Sequence, residues 1–152
     1  MKRALLFLAS AAIVAACSSS SSPPPSSSPD QAGQACTNAA QCYPGLQEAG
    51  TLRGAVQCLD RVPGGYCTHL CTTDADCCAV PGECLSGFRE VCAPFESTGQ
   101  NYCFLSCEAA DISTATNGQL TDETLYCQKY ANSAFGCRST GGGKTNRKVC
   151  TP

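Results

Sequence analysis

The sequence predicts a small disulfide-rich fold of short strands, turns and loops, with one short helix near residues 122–131 and little other regular secondary structure. Three observations predict it. Cysteine makes up 15 of 152 residues, far above ordinary usage, which marks a bridged scaffold in an oxidising compartment. The chain has 14 Gly and 9 Pro, no Trp and one Met, so turn formers are plentiful and large core residues scarce. Its larger apolar residues, Leu52, Val56, Leu59, Val62, Leu85, Phe88 and Val91, stand singly without sustained helical or alternating periodicity. Burial alone is then marginal, and bridges that restrict the unfolded chain, each typically contributing about 2 to 4 kcal/mol, must supply much of the stability.

The chain opens on a leader, residues 1–16. Lys2 and Arg3 precede an apolar stretch from Ala4 to Ala16, broken only by Ser10. A membrane span needs about 20 apolar residues, so this stretch has the length of a signal-peptide core. Its end, Val14-Ala15-Ala16-Cys17, resembles the lipobox of bacterial lipoproteins, although the first lipobox position there is more often Leu. That resemblance implies cleavage after Ala16, a diacylglyceryl group on the Cys17 thiol and an acylated new amine. Parity agrees with lipidation, because removing Cys17 from an odd count leaves fourteen cysteines for seven bridges. The expected membrane partner is thus the lipid bilayer, reached through N-terminal acyl chains. Ser18, where enterobacterial lipoproteins retained in the inner membrane carry Asp, implies the outer membrane or cell surface.

Residues 17–35 read as the lipidated cysteine and a disordered tether. Ser18 to Pro29 is composed of Ser and Pro only, and nothing through Ala35 can bury apolar area. At about 3.1 Å per residue where extended, the tether reaches roughly 50 Å from the membrane.

The remaining chain is organised by Cys36, Cys42, Cys58, Cys67, Cys71, Cys77, Cys78, Cys84, Cys92, Cys103, Cys107, Cys127, Cys137 and Cys150, all expected in disulfides. Spacing does not select among the order of 10⁵ pairings that fourteen cysteines allow. Internal similarity is visible: Cys36-Thr-Asn-Ala-Ala-Gln-Cys42 matches Cys71-Thr-Thr-Asp-Ala-Asp-Cys77, and Tyr66-Cys67 to Cys71 matches Tyr102-Cys103 to Cys107. A stretch without Cys near Ala93 to Gln100 suggests two modules, 36–92 and 93–152. Pro44-Gly45, Pro63-Gly64, Gly64-Gly65 and Pro81-Gly82 read as turns. Thr121 is the expected cap of the one helix, Asp122 to Ala131, with Leu120 and Leu125 as a hydrophobic staple. Phe135 to Val149 reads as a hairpin across Gly141, Gly142 and Gly143.

The Cys71–Cys77 segment resembles the C-x2-D-x-D-C element of small extracellular disulfide folds such as whey-acidic-protein and dickkopf-like modules. With the lipobox, tether and Gly64-Gly65-Tyr66-Cys67, the whole resembles cysteine-rich surface lipoproteins of myxobacterial type. The Cys77-Cys78 adjacency departs from the whey-acidic-protein pattern. A knottin arrangement of Cys67, Cys71, Cys77, Cys78, Cys84 and Cys92 accommodates it better. Both imply loops on a rigid frame.

The chemistry-bearing residues are few. Asp74, Asp76 and Glu83 are ligand types for Ca²⁺, yet short carboxylates in a Cys-bounded loop more often bond nearby backbone N–H groups. The expected assignment is structural, with no metal and no cofactor. Cys-x3-Cys and Cys77-Cys78 suit zinc or a redox dithiol only where thiols stay reduced. His69, the sole histidine, reads as a surface or capping residue. Gly141-Gly142-Gly143-Lys144-Thr145 looks like the end of a P-loop, but the required first Gly falls at Arg138, so the match fails.

Net charge is −2, and removing Lys2 and Arg3 with the leader leaves eight basic against twelve acidic residues, so no nucleic-acid partner is expected. Arg138, Lys144, Arg147 and Lys148 read as a solvated basic loop. The function expected is a non-catalytic, lipid-anchored extracytoplasmic module that binds an extracellular or envelope protein or a glycan. Two alternatives stand beside it: a serine-protease inhibitor presenting Leu52-Arg53-Gly54 or Arg61, and a structural envelope lipoprotein.

Overall fold

The structure, a computed structural model, describes residues 32–84, 87–95, 99–140 and 146–152. The leader, Cys17, the Ser/Pro run and the Gly141–Gly143 turn lie outside the described residues.

Three antiparallel hairpins carry the chain. Strands β1 (Val56–Cys58) and β2 (Cys67–His69) pair with Cys58 opposite Cys67, β3 (Glu90–Pro94) and β4 (Asn101–Leu105) with Cys92 opposite Cys103, and β5 (Gly136–Ser139) and β6 (Lys148–Thr151) with Cys137 opposite Cys150. The two facing cysteines never bond each other. Each instead reaches an upstream cysteine: Cys36–Cys58 and Cys42–Cys67, Cys71–Cys92 and Cys77–Cys103, Cys107–Cys137 and Cys127–Cys150. Every repeat thus pairs its first cysteine with its third and its second with its fourth. The sulfurs of the first, second and fourth lie within 4.8 Å of one another in all three repeats, so the two bridges abut beneath each hairpin. Cys78–Cys84 is the one bridge outside this scheme.

The matching seven-residue segments fold alike. In the first, a 3-10 turn spans Ala39–Gln41 and the Gln41 side chain accepts from Thr37 N–H at 2.7 Å. In the second, the turn spans Asp74–Asp76 and Asp76 accepts from Thr72 N–H at 2.8 Å. Gln and Asp do the same work because each supplies an oxygen that satisfies an otherwise orphaned donor at the turn's start.

The repeats join by recurring contacts. Leu70 N–H donates to Ala55 O at 3.0 Å and Cys71 N–H to Asn101 O at 3.1 Å, while Ser106 N–H donates to Arg89 O at 2.9 Å and Cys107 N–H to Lys148 O at 3.0 Å. Ala32 to Gln34 makes a similar entry to the first repeat, where Gly33 N–H donates to Cys67 O and Cys67 N–H to Gln34 O. The tether expected through residue 35 therefore gives way at Ala32, because these backbone groups find partners along β2.

The expected boundary at residue 93 falls within β3. The β3–β4 hairpin and the Cys77–Cys103 bridge both cross it, so the chain organises as three hairpin repeats rather than two modules meeting there. The core also crosses. Tyr66 lies 5.2 Å from Phe104 and stacks on Phe135 at 5.4 Å between ring centroids, bringing one aromatic from each repeat together. Val91, Leu105, Ile112, Tyr126 and Val149 complete this cluster, and Cys36, Cys42, Tyr43 and Cys67 form a smaller one. Scattered apolar residues thus converge in space without any periodicity along the chain.

Helical content exceeds the single helix expected. Pro44-Gly45 opens α1 (Pro44–Ala49) instead of a turn, consistent with proline's tolerance in the first helical turn. The second helix, α2 (Ala109–Thr116), ends on Asn117 in the left-handed region at φ 51°, followed by Gly118. The helix expected near 122–131 is α3 (Glu123–Tyr130), but Asp122 caps it, accepting from Leu125 N–H at 2.8 Å, and Thr121 does not. Leu125 is 52 % exposed, so the staple does not form. The knottin arrangement is overturned, because Cys67 pairs with Cys42 and Cys77 with Cys103, both outside the proposed set of six. The C-terminal hairpin forms as expected.

Candidate functional site

Among the described residues a cleft of about 500 Å³ lies where the first repeat meets the second. Arg53, Gly54 and Leu70 line one side, and Thr72, Asp76, Gln100 and Asn101 the other. Leu52 packs against the Cys36, Cys42, Tyr43 and Cys67 cluster, while Gly54 is pressed so tightly on β2 that a Cβ there would sit 1.8 Å from the Leu70 carbonyl oxygen. Only glycine fits. Between these two anchors the exposed Arg53 side chain is displayed at the cleft wall. Asp76 faces it, and its carboxyl is held below the usual carboxylate range by the N–H groups of Thr72 and Thr73, with the Arg53 charge adding to the effect.

The three carboxylates considered for Ca²⁺ go separate ways. Asp76 caps its own turn. Asp74 accepts from Arg147 at 2.7 Å, Arg89 at 3.2 Å and Cys92 N–H at 3.0 Å, tying the second repeat to the third. Burial works to raise the Asp74 carboxyl, but the Arg147 hydrogen bond, the Cys92 N–H and both guanidinium charges outweigh it and hold it low. Glu83 is buried against His69. Each carboxylate thus has its own partners: Asp76 and Glu83 bond backbone N–H groups within five residues, whereas Asp74 bonds distant guanidinium groups and the Cys92 N–H.

His69 is the main correction. It is fully buried, not a surface residue, because β2 runs through the interior and the Cys78–Cys84 loop brings Glu83 against it. His69 Nε2 lies 2.7 Å from Glu83 Oε1, and Nδ1 lies 2.9 Å from Leu70 O and 3.9 Å from the bridged Cys103 sulfur. Glu83 also accepts from Cys78 N–H at 2.8 Å and Val80 N–H at 3.1 Å. Burial raises its carboxyl, yet these hydrogen bonds and the His69 charge together hold it below the usual range. The ring nitrogens meet a carbonyl, a carboxylate and a disulfide sulfur, and the Tyr43 ring packs edge-on against the imidazole. The sequence carries no signal for this pair, since His69 on β2 and Glu83 in the Cys78–Cys84 loop belong to separate segments that no single helix or strand spans.

The basic C-terminal residues are likewise engaged. Arg147 binds Glu108 at 2.8 Å as well as Asp74, and Lys148 binds Glu123 at 2.7 Å. Arg138 is exposed on β5, and Lys144 lies outside the described residues. Arg61 is exposed at the β1–β2 turn, some way along the chain from Arg53, so the two arginines considered for a protease pocket belong to different loops. The cysteine clusters are fully used in disulfides, which leaves no thiolate there to ligate a metal.

Comparison with protein-family models, curated proteins and solved structures gives no match to this chain. The fold and cleft define a class on their own terms: a disulfide-clamped hairpin-repeat protein with a polar cleft between its first two repeats.

Proposed function

We propose that this chain is a lipid-anchored, extracytoplasmic binding module without catalytic activity, and that the cleft between the first and second repeats holds its protein or glycan partner. The observation that carries the reading is the bridging behind that cleft. Its walls come from two hairpins, each clamped by two abutting disulfides, and a preorganised loop loses little entropy on binding. Arg53, Thr72, Gln100 and Asn101 offer polar groups that set orientation, the pattern expected of a recognition surface. The Val14-Ala15-Ala16-Cys17 motif supports the anchor, and seven bridges support an oxidising compartment at the outer membrane or cell surface.

Two measurements test the reading. The intact mass of native protein from the membrane fraction, alkylated without reduction, should show a chain beginning at Cys17 with acyl mass and no alkylated cysteine. Photo-crosslinkers placed at Arg53 and Gln100 on intact cells should then capture a partner that a crosslinker at Leu125 does not. Turnover of any substrate by the purified native protein overturns the non-catalytic assignment. A single abundant envelope neighbour at every crosslinked position favours the structural envelope reading instead.

The inhibitor alternative is favoured by one observation, the exposed Arg53 held between the anchored Leu52 and Gly54. Titration against trypsin-like proteases decides it, and no inhibition at high micromolar concentration removes it.

A further inference from the structure

His69 and Glu83 are both fully excluded from solvent. A carbonyl oxygen can only accept, so His69 Nδ1, 2.9 Å from Leu70 O, must donate. Glu83, its carboxyl held below the usual range, accepts from two backbone N–H groups, and its oxygen 2.7 Å from Nε2 faces the ring as an ionised acceptor. Both ring nitrogens therefore donate. A ring that loses one proton leaves either Glu83 or Leu70 O without its donor in a site that water does not reach.

The surroundings sharpen the consequence. The Tyr43 ring lies edge-on 5.8 Å from His69, and Glu90 of β3 approaches the Cys78 and Cys84 sulfurs within 4.8 Å. Among the described residues, Tyr43, Glu83 and Glu90 are titratable side chains brought to the ring or to the loop it holds, and Gly54 and the bridged Cys103 sulfur also lie against the ring. The loop itself is closed by Cys78–Cys84, so it moves as a unit, and Cys78 sits in the left-handed region at φ 60°. On the other side, Leu70 and Gly54 belong to the cleft wall.

We propose that the His69–Glu83 pair is a proton-dependent lock that fastens the Cys78–Cys84 loop beneath the cleft, closed while the ring carries both protons and released when it loses one. Its effect on binding rests on the cleft being the recognition site, whereas the lock itself does not.

Amide exchange of the native, oxidised protein tests it without any ligand, so its failure is distinguishable from failure of the binding reading. As the pH is raised from the acid to the alkaline side, with rates corrected for base-catalysed intrinsic exchange, the protection of the Cys78 and Val80 amides should fall about tenfold or more. Protection of the Cys107 amide, which donates to Lys148 O, should stay constant. In His69→Gln, which cannot titrate, Cys78 and Val80 protection should not change with pH. Constant protection in the native chain overturns the lock, as does an equal fall in the variant. If His69→Gln does not fold, the ring ¹⁵N shifts of the native protein decide: a singly protonated ring while Cys78 and Val80 remain protected overturns it, and loss of the second ring proton in step with loss of their protection supports it.

Discussion

Tyr66 stacks on Phe135 at 5.4 Å with their planes 20° apart, although 69 positions separate them in a chain whose disulfides never join the first repeat to the third. Each ring is almost wholly buried. The contact ties the ends of the bridged region into one core, so the repeats should unfold together rather than one by one. Phe135→Ala is expected to cost about 3 to 5 kcal/mol, read as a lower denaturant midpoint with an unchanged slope. Two separate transitions in the unmodified protein would contradict a shared core.

Gly54→Ala should be among the most damaging single-methyl additions, because the new Cβ would lie 1.8 Å from Leu70 O, part of the strand backbone. A cost above about 4 kcal/mol, or failure to fold, is expected. Gly45, whose Cβ position meets nothing within 4 Å, is the control, and Gly45→Ala should change stability by no more than about 0.5 kcal/mol. Thermal unfolding of the two variants side by side checks the pair.

Asp74 and Glu83 both have carboxyls held below the usual range in the folded state. A depressed folded value means the contribution is complete above the ordinary carboxylate range and is lost as pH falls through the lowered value. Stability should therefore decline on the acid side. Asp74→Asn, which weakens the links to Arg147 and Arg89, should lower stability at neutral pH by about 1 to 3 kcal/mol and flatten the acid limb. An acid limb of undiminished slope in the variant would assign that dependence to other groups.

The bridges should not contribute equally. Cys107–Cys137 spans a separation of 30 residues and Cys78–Cys84 only 6, so chain entropy makes the longer one worth about 1.4 kcal/mol more. Paired Ser substitutions, compared by denaturant unfolding, measure the difference. Peptide mapping without reduction should recover the first-to-third and second-to-fourth pairing in each repeat, and any other pattern among these twelve cysteines would refute the threefold scheme.

Part of this arrangement was legible in the residues. The match between Cys36–Cys42 and Cys71–Cys77 reflects a real structural repeat, down to Gln41 and Asp76 receiving equivalent N–H groups. The third repeat was hidden because α2 and the first turn of α3 lie between Cys107 and Cys127, stretching a gap of six positions to twenty. The cap at Asp122 was missed by one residue, since Thr121 and Asp122 are both good caps by residue type and it is the Asp122 carboxylate that meets Leu125 N–H. Arg53 was visible as a candidate contact, but not that Gly54 and Leu52 pin the backbone on either side of it.

Sequence alone determined the fold class, the fourteen bridge-forming cysteines, the C-terminal hairpin and one helix, because composition and local spacing carry these directly. Tertiary structure alone decided which cysteines pair, where the core converges, that Ala32 to Gln34 docks on β2, and that His69 meets Glu83. The reason is physical. Turn chemistry and helix capping act over a few residues and leave a local mark, whereas a disulfide, an aromatic stack or a buried ion pair depends on distances that exist only once distant segments have been brought together.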